Sequence, residues 1–278
     1  MSTTVFLAIL VGALLHASWN ALIKLGTSKM TSMLIMSSVQ GVVGLVVAMT
    51  RELPTGEVWL WLLASGVLHA TYKLFLSYAY EQGDLSRVYP IARGTAPMLV
   101  LLLSGAVLAD AITGLEYIGI IVLGIGIITM ARGVWTSGES RKLVPFALCS
   151  AMATAGYSIV DGLGARVLGD AATFVAWMFF LDAIIFAPVA MGLKGRGIWK
   201  ADIRSWTLGA LAALASYGAY AIAVWAMTKA PIALVTALRE TSILFAVLIG
   251  VIFFKEKITR GKLMAAGLIV LGVALTRI

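Results

Sequence analysis

The sequence predicts an all-α polytopic membrane protein: ten transmembrane helices arranged as two five-helix inverted repeats. Three observations carry that expectation. Of 278 residues 61% are apolar and only 12% charged, against about half and about a quarter in a soluble domain, and mean hydropathy is +0.99. The apolar residues lie in long unbroken runs. From the fourth span of each half onward the two halves of the chain match in an ungapped register, and equivalent loops carry opposite charge. A crossing needs ~20 apolar residues, so this length holds at most about eleven. A barrel would alternate in polarity, which these runs do not.

Breaks at charge and turn clusters place the runs at 3–25, 32–50, 58–80, 86–108, 114–132, 143–165, 172–193, 206–227, 231–254 and 261–277. No cation precedes the first run, which is long enough to be a span and not a cleaved signal. The connections are too short for a soluble domain, so whatever the chain does is done inside the bilayer. Ten runs divide into a first repeat over 1–132 (spans one to five) and a second over 143–278 (spans six to ten), within one integrated membrane domain. An offset of 146 lays Arg93 on Arg239, Thr95 on Thr241, Asp110 on Glu256, Ile112-Thr113 on Ile258-Thr259 and Gly126 on Gly272. Shared apolar composition gives accidental matches, but an arginine and an acid-Ile-Thr landmark in one register are harder to obtain by chance.

Loop charge gives the relation between the halves. The 109–115 connection carries no cation, while 255–261 carries Lys255, Lys257 and Arg260. Residues 51–57 hold one cation and two acids, while 194–204 hold Lys194, Arg196, Lys200 and Arg204. Five crossings turn the second copy over, so opposite bias in equivalent loops is what inversion requires. The loops after spans one, five, seven and nine are then cytoplasmic and both termini face out. The same bias explains the net charge of +8 without invoking nucleic acid. The single cysteine, Cys149, excludes an internal disulfide and a thiolate metal cluster.

The segment Tyr89-Pro90-Ile91-Ala92-Arg93-Gly94-Thr95-Ala96-Pro97, its echo Ala237-Leu238-Arg239-Glu240-Thr241-Ser242 and the Lys255-Glu256-Lys257-Ile258-Thr259 turn resemble the drug/metabolite transporter superfamily, EamA type. The likeness spans essentially the whole chain. It extends to an acid after the fourth span of each half, Asp110 and Glu256, each followed by a glycine-rich helix. The resemblance implies a ten-helix secondary transporter, often an exporter of amino acids or related metabolites. It implies no particular substrate.

An ionisable group inside a span costs about 2.5–3.5 kcal/mol on insertion scales and needs a partner, a wet cavity or a function. His16, Trp19 and Asn20 share a face of span one. His69, Tyr72, Lys73 and Tyr80 share a face of span three. Such stripes either line a cavity or bind helices together. Lys73 sits too deep to reach an interface. Arg93 and Arg239 each lie about eight residues into a span, and a guanidinium fork fits carboxylate or phosphate oxygens. Repeat symmetry brings them to the middle of the membrane. A competing reading pairs Arg239 with Asp161 or Asp182, and Arg93 with helix carbonyls. Glu240 points about 100° from Arg239 and is a poor partner for it. Pro90 and Pro97 are expected to bend span four, either as a gating or binding segment with Tyr89 or as a packing kink. Tyr157, Tyr217 and Tyr220 lie deep enough to offer hydroxyls and ring faces, while Trp59, Trp61, Trp135, Trp199 and Trp206 read as interfacial belt.

The substrate-binding set is therefore Arg93, Arg239, Lys73, His69, Tyr72, His16, Trp19, Asn20, Tyr89, Tyr157, Tyr217 and Tyr220. Asp161 and Glu240 are the proton-coupling candidates, since burial favours the protonated carboxyl. The expected function is secondary transport, as an exporter, of a small anionic or zwitterionic metabolite, amino-acid-like or phosphorylated, by alternating access. The alternative is proton-coupled export of organic cations, against which the in-span cations outnumber the acids. Enzymatic motifs of the His-Glu-x-x-His and Gly-x-Ser-x-Gly kinds do not occur. No cofactor, metal or catalytic residue is expected. The partners are a small-molecule substrate and membrane lipid, not nucleic acid, with the chain a monomer or homodimer in the bacterial inner membrane.

Overall fold

The computed structural model describes residues 1–26, 28–82, 85–108, 110–131, 142–255 and 260–277. Eleven α-helices occur among them: α1 Thr3–Leu25, α2 Lys29–Ala48, α3 Val58–Gln82, α4 Leu85–Val107, α5 Gly114–Ala131, α6 Leu143–Leu168, α7 Ala171–Lys194, α8 Ile203–Met227, α9 Ile232–Arg239, α10 Ser242–Phe254 and α11 Arg260–Leu275. Helices α9 and α10 form one apolar crossing, so the bundle has ten. Seven crossings are long and apolar enough to span a membrane by themselves. The others contribute shorter apolar helices at Ile91–Leu103, Gly114–Thr129 and Leu263–Leu275.

Helix starts follow local chemistry. Ser2, Ser28, Asp170 and Asp202 each accept a backbone N–H of the following turn. Thr113 and Glu116 form a reciprocal capping box: the Thr113 N–H donates to Glu116 at 2.9 Å, and the Glu116 N–H donates to the Thr113 hydroxyl at 3.3 Å.

Helix packing shows the internal symmetry. Exchanging the halves maps α1 to α6, α2 to α7, α3 to α8, α4 to the α9–α10 crossing and α5 to α11. Under that exchange the α3–α6 contact becomes α8–α1, α3–α7 becomes α8–α2, and α4–α6 becomes the packing of α9 and α10 on α1. The α2–α7, α5–α11 and α4–α9 contacts map onto themselves. Five crossings per half place the copies head to tail, so the two-fold axis lies in the membrane plane.

The break in the bundle falls where the sequence did not suggest it. Helix α4 runs from Leu85 to Val107 through both prolines, clasped along its length by α5 and α6. The interruption lies in the ninth crossing, between Arg239 and Ser242. There the backbone tightens to three-residue bonds: Thr241 N–H to Leu238 at 3.1 Å, Ile243 N–H to Glu240 at 2.9 Å and Leu244 N–H to Thr241 at 2.9 Å. The Thr241 hydroxyl also donates to the Leu238 carbonyl at 2.8 Å. Side chain thus helps satisfy the carbonyl that the turn leaves exposed.

Two of the contacts that hold the copies together are the α5–α11 crossing and the bonds of Arg166. A Cβ on Gly272 would stand 2.7 Å from the Gly119 carbonyl oxygen, so α5 and α11 cross backbone on backbone. At the end where α4, α6 and α8 finish, Arg166 donates to both Asp110 oxygens, at 2.7 and 3.2 Å, and to the carbonyls of Met227 at 2.9 Å and Ala230 at 3.1 Å. Asp110 also accepts the first N–H of α9, from Ile232, at 2.8 Å. Its expected counterpart Glu256 lies outside the described residues.

Gly272→Val should cost about 1–3 kcal/mol by overpacking, read as a drop of several degrees in the unfolding midpoint of detergent-solubilised protein. Gly267→Val, where nothing lies within 4 Å, should leave the midpoint unchanged. Asp110→Ala and Arg166→Ala should each destabilise by about 2 kcal/mol, and the double variant should be no worse than the poorer single one.

Candidate functional site

Near the middle of the bundle a narrow cavity lies among α1, α3, α4, α6, α7, α8 and α9. The stripe on α1 faces it. The Trp19 indole N–H donates to His16 Nδ1 at 3.1 Å, and the Asn20 amide donates to the His16 carbonyl at 2.8 Å. With Nδ1 accepting, a neutral His16 carries its proton on Nε2.

The second wall is aromatic. His69 of α3 stacks on Tyr157 of α6, centroids 4.1 Å apart at 23°, and meets the edges of Tyr72 at 5.5 Å and Tyr220 at 5.0 Å. Behind this wall Asp161 is wholly buried. One of its oxygens, Oδ2, is 2.9 Å from His69 Nε2 and also accepts the Tyr220 hydroxyl. Its other oxygen has no partner among the described residues. Two cavity-lining titratable groups therefore report directly to one hidden carboxylate.

The two arginines of the repeat both reach the cavity, in different states. Arg93 of α4 donates to Glu240 Oε1 at 2.8 Å, with Tyr157 at 3.5 Å from its other arm. Glu240 stands on the turn that breaks the ninth crossing. Arg239, the last residue of α9, lays its guanidinium over the Tyr220 ring, 5.0 Å from the centroid. It has no carboxylate partner among the described residues. It is 5% exposed.

The model of the EamA-like transporter family matches residues 3–132 and again 141–278. The chain belongs to the EamA-like transporter family. It is therefore an integral multi-pass membrane transporter of the drug/metabolite type, a class distinct from enzymes. No curated protein matches the chain. Among solved structures 29 chains match. One protein crystal structure, 18% identical, superposes with a TM-score of 0.75 over 98% of this chain and 98% of its own. At that identity the likeness speaks for the fold.

In this EamA-like chain the structure brings His16, Trp19, Asn20, His69, Tyr72, Arg93, Tyr157, Tyr220 and Arg239 onto one cavity wall. Lys73, expected at the substrate, is not among the lining residues. Tyr72 and Lys73 diverge by about 100°, so Tyr72 faces the cavity while Lys73 turns toward α2 and α7. There its ammonium binds Asp182, with Gln40 at 3.3 Å, and Ser37 donates to Asp182 at 2.9 Å. Tyr217 also misses the wall and packs on Phe179, centroids 5.1 Å apart. The Tyr89 side chain lies outside the described residues. Arg239 pairs with neither Asp161 nor Asp182, since those carboxylates are held by His69 with Tyr220 and by Lys73.

Sequence reasoning missed the rest of the lining. Ser150, Thr154 and Tyr157 recur at four- and three-residue steps on α6, and Ser216 and Tyr220 at a four-residue step on α8. The helical-stripe rule that found His16 would have added Ser150, Thr154 and Ser216 to the tyrosines already named. Phe179 has no such signal, because one aromatic on an apolar helix reads as core.

Lys73→Met alone should abolish folded, detergent-stable protein, because an unpaired buried Asp182 costs about 3–5 kcal/mol. The double variant Lys73→Met/Asp182→Leu should restore the monodisperse peak in size-exclusion chromatography.

Proposed function

We propose that this EamA-like transporter carries a small anionic or zwitterionic metabolite, with Arg239 receiving its acidic group and the aromatic wall its remainder. The observation that carries the reading is the buried Arg239 guanidinium at a central cavity, with a ring beneath it and no carboxylate paired with it among the described residues. A buried charge of that kind calls for a counter-charge, and a carboxylate or phosphate fits its fork. Asn20, Ser150, Thr154 and Ser216 add neutral polar contacts on the wall, which suit a polar metabolite. The two antiparallel copies suit alternating access by rocking about the central site. The direction proposed is export, and the membrane proposed is the bacterial inner membrane. The cation-exporter reading is weaker on this geometry, because Glu240 and Asp161 already have partners and no carboxylate is among the described residues that line the cavity.

The test is a thermal-shift screen of purified protein against amino acids, phosphorylated metabolites, phosphonates and quaternary ammonium dyes. Binding to the folded state at 100 Kd adds about 2.7 kcal/mol of apparent stability. The expected result is stabilisation by an acidic ligand that Arg239→Ala abolishes in an otherwise folded protein. Stabilisation by the dyes alone, or equal stabilisation of Arg239→Ala, would falsify the reading.

A further inference from the structure

Glu240 is bound to the arginine that repeat symmetry makes the twin of Arg239. Its carboxylate meets Arg93 through Oε1 only, at 2.8 Å, and Oε2 has no partner among the described residues. The residue is 1% exposed and sits on the turn between α9 and α10, where the backbone is already interrupted. Arg93 itself lines the cavity. The protein thus holds two guanidiniums at one cavity, one in an ion pair with a carboxylate of its own chain and one that makes no ion pair among the described residues. An acidic solute entering on Arg239 comes close to an ionised Glu240, which adjoins Arg239 in sequence. Two like charges in one dry site oppose each other's ionisation.

We infer that Glu240 is a built-in occupant of the anion seat at Arg93, protonated and released from it when the acidic substrate binds, so that one proton loads with each anion. The inference rests on the proposed function and deepens it. The proton goes from bulk water to the Glu240 carboxylate as the solute's oxygens take its place at Arg93. It returns to water when the solute leaves and the ion pair closes again. Arg93 thus keeps an anionic partner in both states, Glu240 in the empty one and the substrate in the loaded one. A monoanion and its proton travel as an electroneutral unit, so the membrane potential does not act on the step, which follows the combined concentration gradients of the metabolite and the proton.

The ionisable groups around Glu240 are few. Arg93 approaches from α4 and Arg239 from α9, and His16 of α1 stands near both arginines. Tyr157 of α6 touches the other arm of Arg93, and Tyr220 of α8 underlies Arg239. Helix α5 carries its ionisable groups, Glu116 and Tyr117, at its first turn, and α10 has none. Asp161 is screened from the seat by its bonds to His69 and Tyr220.

The experiment measures binding of sulfate and of L-glutamate, whose charges stay constant from about pH 5.5 to 8.5, by calorimetry in buffers of differing ionisation heat. Wild type should take up about one proton per anion bound, with Kd rising about tenfold per pH unit once Glu240 is ionised in the empty state. Glu240→Gln should bind the anion at least tenfold more tightly at pH 8, with no proton uptake and a flat pH profile. Glu240→Asp keeps the titrating group and should keep the uptake, which guards against a folding defect in the glutamine variant. Binding without proton uptake in wild type, or an unchanged pH slope in Glu240→Gln, overturns this inference and leaves Arg239 as the anion site. Absence of binding by either anion to wild type and Glu240→Gln alike overturns both.

Discussion

A charge in hydrocarbon must be paired or wet, and that single requirement organises this bundle. Lys73 and Asp182 answer it by closing on each other behind the cavity wall, with Gln40 and Ser37 completing the shell. Asp161 answers it with a histidine and a tyrosine, and Glu240 with Arg93. Among the described residues Arg239 makes no ion pair and rests on the face of Tyr220. In the proposed function that unpaired cation is what the substrate neutralises.

The repeat supplies the frame, and its imperfections supply the site. Helix contacts exchange in pairs when the halves are swapped, so the backbone is close to symmetric. The side chains are not. The fourth crossing stays helical through two prolines while the ninth, its counterpart, breaks at Glu240. That break lets an acid from one copy reach across to the arginine of the other. Two equivalent arginines therefore end in different electrostatic states, a distinction that a perfectly symmetric dimer of five-helix units could not hold.

Most of the architecture was legible in the chain because membrane helices announce themselves by length and polarity. The ten runs fall within a few residues of the observed crossings. The arginine register and the polar stripes at His16 and His69 were legible for the same reason: deep polar residues in oil are few and each has a cause. Pairing was not legible. Lys73 and Asp182 lie on helices that meet only after folding, and periodicity grouped Lys73 with Tyr72 although their directions differ by about 100°. The partnership of Arg93 with Glu240 depends on a turn whose local sequence carries no glycine or proline between Ile232 and Ser242, the usual punctuation of a broken helix.

Arg166 has a bearing on how its end of the bundle behaves. One rigid, planar group there donates to an acid on the α4–α5 connection, to the last turn of α8 and to the residues leading into α9. No arm can be withdrawn without misaligning the others, so these segments separate together or not at all. Cooperativity at that mouth is thus set by the stiffness of a single guanidinium, and a lysine, which offers a flexible point charge in place of a fork, would let the three strands of contact loosen one at a time.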